Sequence, residues 1–397
     1  MHCSHARFVW NLACEQQSWW RRGRGSPPGF PEQCRQLSEA RAAFDWLAAG
    51  SVIVQQQALR DFGQAMDKFF NQTHRRPSWR KAGRHEGFRI VAVKPGHLHR
   101  LNRKVGAVWV PKVGWVRFRW SRAVSGEVKS YRVTCDRAGR WHVALAVVPP
   151  SIPGPGTGEI VGVDRGVAVS AALSTGELLR TPRLRPAAQR RMRLLQRKLR
   201  RAARNSKRRT RARVQIARLY ARQSDMRTDW CEKTSTSLAR RFDTICVEDL
   251  RIRNMTRSAK GSAQEPGKNV RQKARLNREI LASGWGRLVR RLEDKAPGRV
   301  RKIAPAYTSQ RCSVCGNIAA ESRESQALFR CVACAYTDNA DVNAARNIAA
   351  GHAVTARGGD GVARPVNREP QSRRLCTGGD TEIPTYMGGE DVKSSRR

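Results

Sequence analysis

The chain has 397 residues and carries 77 Lys and Arg against 32 Asp and Glu, a formal net charge of +45. A compact body with that surplus repels itself unless a polyanion neutralises it, so nucleic acid is the leading partner class. Hydrophobic residues at 40%, with 11 Trp and 10 Phe, exclude a wholly disordered basic tail. No apolar run approaches the ~18 residues that span a bilayer. Arg7 and Asn11 interrupt the N-terminal apolar residues, so neither a membrane segment nor a signal peptide is expected. The cytoplasm is the expected location, where the 11 cysteines suit metal ligation better than disulfides.

Residues 1–80 read as a helical region. Phe8, Trp10, Leu12 and the Trp19-Trp20 pair suggest one helix, and Leu37 to Ala49 another. Leu59, Phe62, Met66 and Phe69 fall at i, i+3, i+7 and i+10, one face of a helix that Ser51 would N-cap. Over residues 81–148 the period changes to two. Val116, Phe118 and Trp120 alternate with Arg117 and Arg119, and Trp141, Val143, Leu145 and Val147 repeat the pattern after an Asp136–Gly139 turn. One apolar and one Arg-bearing face suits a β-barrel gripping a phosphate backbone; any half-buried sheet alternates in the same way. In residues 149–158, seven of ten are Pro or Gly, which marks a linker.

Beyond the linker, Glu159 to Val163 is an apolar strand ending at Asp164, followed by Val167 to Leu173, a turn over 174–177 and a short third strand. Residues 180–222 hold 18 Lys and Arg and no acid. Met192, Leu195, Leu199 and Ala202 form one helical stripe, and Ile216, Leu219 and Tyr220 a second, so a hairpin with an apolar seam is expected. Like-charge repulsion would destabilise such a bare hairpin. Phosphate contact explains the run better, with Arg200, Arg201, Arg204, Lys207, Arg208 and Arg209 as the candidate nucleic-acid-binding residues. Thr244 to Val247 is another apolar strand, ending at Glu248. Residues 256–275 read as a mobile loop, Ile280 to Leu292 as a helix despite Gly284 and Gly286, and residues 351–397 as a disordered tail.

Two constellations carry chemistry. Cys312-x-x-Cys315 and Cys331-x-x-Cys334 are two short knuckles separated by 15 residues, the spacing of a structural four-cysteine zinc site. Gly316 follows the first knuckle and Ala335 the second, where a left-handed backbone strains alanine slightly. Cys3, Cys14, Cys34, Cys135, Cys231, Cys246 and Cys376 form no knuckle and read as ordinary thiols. The second constellation is Asp164, Glu248 and Asp341. Parallel neighbouring strands would present Asp164 and Glu248 at one sheet edge. A helix packed through Ala344, Ala345 and Ile348 would turn Asp341 toward them. Three converging carboxylates need cations to stay ionised, and two Mg²⁺ ions would suffice for phosphodiester hydrolysis. Asp249 and Asp338 read as local capping acids.

GVDRGVAVSAALSTGE around Asp164, CVEDLRIRNM around Glu248 and DVNAARNI at Asp341 resemble the three motifs of a RuvC nuclease. ILASGWGRLVRRLEDKA, YTSQRCSVCG and FRCVAC resemble a zinc ribbon set between the second and third acids. The order is similar to that of the TnpB family of insertion-sequence RNA-guided DNA endonucleases, relatives of the type V CRISPR effectors. The resemblance implies an α+β and α/β multidomain protein: an N-terminal β-barrel with a helical insertion, then an RNase H-like (RuvC) domain over 159–300 with an inserted zinc ribbon at 301–340 and a final nuclease helix at 341–350. It also implies one structural Zn²⁺, two catalytic Mg²⁺, a guide RNA and a double-stranded DNA target flanked by a short motif. Family members begin with a strand ahead of the residues resembling ARFVWN, close to the start of this chain, so the barrel is expected to lack that strand. A DNA transposase of the same fold more often orders its acids Asp, Asp, Glu; a decayed or non-catalytic binder would have lost one of them.

Overall fold

The computed structural model of the chain describes residues 1–19 and 25–351; Trp20, Cys376 and the stretch read as a disordered tail from residue 352 onward lie outside them. The helical region consists of α1 (His2–Ser18), α2 (Phe30–Ala43), α3 (Asp45–Ala48) and α4 (Val52–Phe70). Leu59, Phe62 and Met66 of α4 are buried in one core with Ala6, Val9 and Trp10 of α1, as the helical spacing requires. Leu37 to Ala49 is not one helix. Phe44 adopts an extended backbone (φ −129°, ψ 106°), which ends α2 and starts α3. Ser51 precedes α4 with an extended backbone, but its side chain makes no capping bond.

Six strands follow: β1 (Gly87–Val91), β2 (Leu98–Arg100), β3 (Val105–Val110), β4 (Gly114–Arg119), β5 (Ser130–Cys135) and β6 (Trp141–Ala146). They form two three-stranded antiparallel sheets, β1-β5-β6 and β2-β3-β4, and among the described residues no strand pairing closes them into the expected barrel. The reason is visible at the edges. β4 and β6 each end a sheet, and Val116, Phe118, Val143 and Leu145 from these two strands line an open cleft of about 1830 Å³. Buried Tyr131 of β5 reaches the other sheet, its hydroxyl donating to the Trp109 carbonyl at 2.7 Å. Trp141 and Val116, expected on buried faces, remain 57% and 37% exposed at this cleft.

The Pro/Gly linker is held down at its far end. Asp243 accepts the backbone N–H groups of Gly156 and Gly158 at 2.9 and 2.6 Å, and Arg299 donates to the Ile152 carbonyl at 2.7 Å. The next sheet gathers β7 (Ile160–Asp164), β8 (Ala171–Leu173) and β9 (Leu178–Leu179). After α5 (Pro186–Arg201) and α6 (Lys207–Arg241) it adds β10 (Thr244–Glu248). After the short α7 (Ile252–Met255), α8 (Val270–Ser283) and α9 (Trp285–Lys295) it adds β11 (Val300–Ile303). Its order is β11-β10-β7-β8-β9, with β11, β10 and β7 parallel and β8 and β9 antiparallel additions. Val161, Val163, Ile245 and Val247 bury one core with Leu238 of α6 and Leu288 and Leu292 of α9.

Two helices differ from their sequence expectations. The second helix of the basic hairpin runs past residue 222 to Arg241, because its C-terminal turns cover the sheet through buried Leu238 and Ala239. The helix expected over Ile280 to Leu292 is two helices. Gly284 takes φ +81°, a left-handed value that ends α8, and α8 itself begins at Val270, inside the stretch read as loop. Last come β12 (Leu328–Arg330), β13 (Thr337–Asn339) and α10 (Ala340–Ala349). Helix α10 lies so close to β7 that a Cβ on Gly162 would stand 1.9 Å from the Ala345 carbonyl oxygen. Only glycine at that strand position lets the helix down onto the sheet.

Candidate active site and metal centre

Strand register places the first two acids. Val247 pairs with Val163 in the parallel β10–β7 ladder, so Glu248 and Asp164 follow at adjacent strand ends. Asn339 caps α10, its side chain accepting the N–H groups of Asp341 and Val342 at 3.0 and 3.3 Å. That cap sets Asp341 in the first turn, facing the loop after Asp164: a Cβ on Gly166 would come 3.8 Å from Asp341 Oδ2.

The setting is strongly desolvated. Burial, then the charges of Glu248 and Asp341, push the Asp164 carboxyl up to about 7, against the pull of the Arg323 guanidinium and the Arg165 backbone N–H. Burial also raises Glu248, which Arg165 and a hydrogen bond from Thr308 oppose, and raises Asp341, which Arg323 opposes. Thr308 Oγ1 donates to Glu248 Oε1 at 3.1 Å, and the buried Arg165 donates to the Glu248 carbonyl. Arg323 Nη2 stands 3.3 Å from Asp341 Oδ1. Asp338 is committed elsewhere, accepting from the Tyr336 hydroxyl at 2.8 Å and pairing with Arg346 at 2.8 Å.

Four sulfurs meet nearby. Cys312, Cys315, Cys331 and Cys334 place their Sγ atoms within 4.8 Å of one another, with Cys312–Cys334 at 3.7 Å and Cys315–Cys331 at 3.5 Å. A tetrahedron with Zn–S bonds of about 2.3 Å separates its sulfurs by about 3.8 Å, so the donor set fits that ion. The backbone N–H of Cys334, with that of Ala333, pulls the Cys331 thiol down to about 6, whereas hydrogen bonds with the neighbouring sulfurs push the Cys334 thiol up. Gly316 and Ala335 close the two knuckles with φ +78° and +59°. Ala335→Gly should therefore stabilise the ribbon by about 1 kcal/mol. A chelator titration followed by circular dichroism would register this as slower zinc loss. The carboxylates stand further apart than the sulfurs: among the described residues only the cysteines form a group of three or more ligand atoms within 4.8 Å.

The ribbon is fastened to the acidic centre by residues the sequence did not single out. Asn343 and Asn347 of α10 are 0% and 2% exposed. Asn343 Nδ2 donates to the Arg311 carbonyl at 2.7 Å while its Oδ1 accepts from Ser313 N at 2.9 Å. Asn347 Nδ2 donates to the carbonyls of Thr308 and Arg311 at 3.0 and 2.7 Å. A signal existed: two asparagines at i and i+4 among the alanines of α10. Arg323 and Thr308 offered none.

The basic hairpin departs from expectation at three positions, the first being Ala202, which caps α5 with an extended backbone and lies outside the seam. Met192, Leu195, Leu199, Ile216 and Leu219 form the seam with Leu184, but Tyr220 is 53% exposed outside it. Arg209 is half-buried and donates to the carbonyls of Leu199 and Ala202 at 2.8 and 3.0 Å. It closes the end of α5 and is not part of the free basic surface. Arg200, Arg201, Arg204, Lys207 and Arg208 are exposed, and among the described residues none has an acidic partner within 4 Å. Replacing these five by Gln should weaken duplex binding irrespective of sequence and flatten the log–log salt slope by about 0.9 for each phosphate no longer neutralised. An unchanged slope would mean a merely solvated surface.

The same arrangement of segments recurs in known proteins. Residues 142–259 match the family model OrfB_IS605, described as "Probable transposase", and residues 285–348 match the TNB domain of Cas12f1-like proteins. The chain is 36% identical over 373 residues to the "Putative RNA-guided DNA endonuclease InsQ" of Escherichia coli K12, covering 92% of this chain and 91% of the relative. It is 29% identical over 379 residues to a "Putative RNA-guided DNA endonuclease" of Streptomyces pristinaespiralis, covering 93% and 88%. The fold is similar to a protein chain in the cryo-EM structure of a Cas12f1–sgRNA–target DNA complex, with TM-score 0.55, 14% identity and coverage of 88% and 81%.

Proposed function

Because the chain belongs to the TnpB family, the OrfB proteins of insertion sequences, we propose that it is a metal-dependent, RNA-guided DNA endonuclease with Asp164, Glu248 and Asp341 as its catalytic acids. The observation that carries the reading is the acidic cluster itself: three desolvated carboxyls from β7, β10 and α10, with Asp164 pushed up to about 7 by burial and its two neighbours. Two Mg²⁺ ions held there would activate the attacking water and offset charge on the leaving oxygen. Mg²⁺ is the ion such a site would take, because it is bound by one or two carboxylates and keeps several waters of its own.

The remaining steps fall to the chain. Thr308 fixes the orientation of Glu248, and Arg165 braces the backbone that carries it. Arg323, reaching across from the ribbon, holds Asp341. Zinc held by the four cysteines would keep residues 301–340 folded and would take no part in the chemistry. The basic face of α5 and α6 holds the phosphate backbone, with no stacking residue except Tyr220, and so without reading bases. Residues 1–148 are assigned to gripping the guide RNA and the flanking motif, while pairing between guide and target supplies the sequence information.

The test is plasmid cleavage in Mg²⁺ by protein freed of RNA, with and without the co-expressed element RNA. Cutting is expected only with RNA, and sequencing the co-purified RNA should return a single element-derived species. Efficient cutting by RNA-free protein would replace this reading with a simple metal-dependent nuclease.

A further inference from the structure

The outer face of the β2-β3-β4 sheet is not built like an ordinary solvated surface. In the antiparallel register, His99 pairs with Ala107, Arg117 with Ala107, Trp109 with Trp115 and Arg119 with Val105, which sets all of these on one face. The Trp109 N–H donates to the His97 carbonyl at 2.8 Å, which extends the ladder and adds His97. The opposite face carries buried Val108 and Val110 into the core, so the aromatic face looks outward.

Its rings form a continuous chain. Trp109 and Trp115 lie 5.5 Å apart, His99 and Trp115 4.6 Å, and His97 and Trp109 6.3 Å. Trp115 is 47% exposed at the middle of that chain. Arg117 and Arg119 continue the row, both exposed, and among the described residues neither meets an acid within 4 Å. The charge around the face is one-sided: residues 87–126 contain nine Lys and Arg and no Asp or Glu. Two Trp rings left partly in water, in contact with two His rings and beside unpaired cations, make a surface that a flat, anionic partner would cover.

We propose that this face is a stacking platform for unpaired nucleotides, with Trp115 as its central ring, Trp109, His97 and His99 beside it, and Arg117 and Arg119 on the phosphates. A duplex hides its base faces, whereas a single strand offers a π-surface and a phosphate at each step. The inference deepens the RNA-guided reading, on which it rests for the presence of single strands. Guide RNA and displaced DNA share this chemistry.

The test measures binding, which stays readable whether or not any cleavage is found. RNA-free full-length protein is titrated with unstructured oligo(U), oligo(dT), a duplex of equal length and inorganic polyphosphate, following affinity and tryptophan quenching. Trp115→Ala should weaken both single strands about five- to 150-fold, as loss of one stacked base does. It should leave duplex and polyphosphate within about two-fold, and Trp115→Phe should restore the affinity while losing part of the quenching. A larger loss on oligo(U) would assign the platform to the guide, and on oligo(dT) to the displaced strand. Unchanged single-strand affinity in Trp115→Ala, or an equal loss on all four ligands, would overturn the proposal.

Discussion

Alanine at Asp164, Glu248 or Asp341 is expected to lower RNA-dependent plasmid cleavage at least about a hundred-fold while RNA binding stays close to wild type. The acids come from β7, β10 and the start of α10, whereas the candidate phosphate contacts are exposed cations between Arg200 and Arg208, so the two losses should separate. Asp338→Ala is the control, since Asp338 serves Tyr336 and Arg346, and it should cost much less. Retained Mg²⁺-dependent cleavage in Asp164→Ala would sink the assignment. The same residue makes a second, independent forecast. Its carboxyl is raised to about 7 in the fold against about 3.9 in an unfolded chain. A raised folded-state pKa adds stability below pH 4 that is lost as pH climbs to about 7. Metal-free wild type should therefore lose stability relative to Asp164→Asn between pH 4 and pH 8, by on the order of a few kcal/mol. Mg²⁺ should recover that loss in the wild type and not in the variant. Parallel thermal melts with and without Mg²⁺ check the sign.

Removing zinc should abolish cleavage by a different route. Cys331→Ala, or a strong chelator, is expected to unfold residues 305–340, because metal binding and local folding are one equilibrium. Asn343 and Asn347 then lose the carbonyls of Arg311 and Thr308, Glu248 loses Thr308, and Asp341 loses Arg323. Elemental analysis should find about one zinc per chain in the wild type and none in the variant. Hydrogen exchange separates the two ways of failing. Asp341→Ala should leave the ribbon protected, and Cys331→Ala should expose it. A cooperatively folded, metal-free ribbon would refute the zinc assignment.

Much of this was legible from neighbouring residues alone. The helical stripe of α4, the seam of α5 and α6, the apolar strands before Asp164 and Glu248 and the two cysteine knuckles all express local periodicity or short spacing. Periodicity was least reliable where a single backbone angle decides. Phe44 and Gly284 each split a helix that the apolar pattern would have carried through. Arginine runs misled in another way: Arg208 and Arg209 are adjacent in sequence, yet one is free and the other closes α5.

The chain by itself determined the type of its strongly periodic segments, such as α4, the α5–α6 seam and the strands before Asp164 and Glu248, and which residue types could hold zinc, because those properties depend on residues a few positions apart. Only the tertiary structure decided which edges stay open and which single residues complete a site. β4 and β6 read like any alternating strands, and it is the packing of two separate sheets that leaves a cleft between them. Thr308, 60 residues from Glu248, and Arg323, 18 residues from Asp341, reach the acids only after the ribbon folds onto α10. The Trp109, Trp115 and His99 chain likewise exists only in the register of three paired strands. Such contacts follow from loop closure and long-range burial, which leave no period in the sequence.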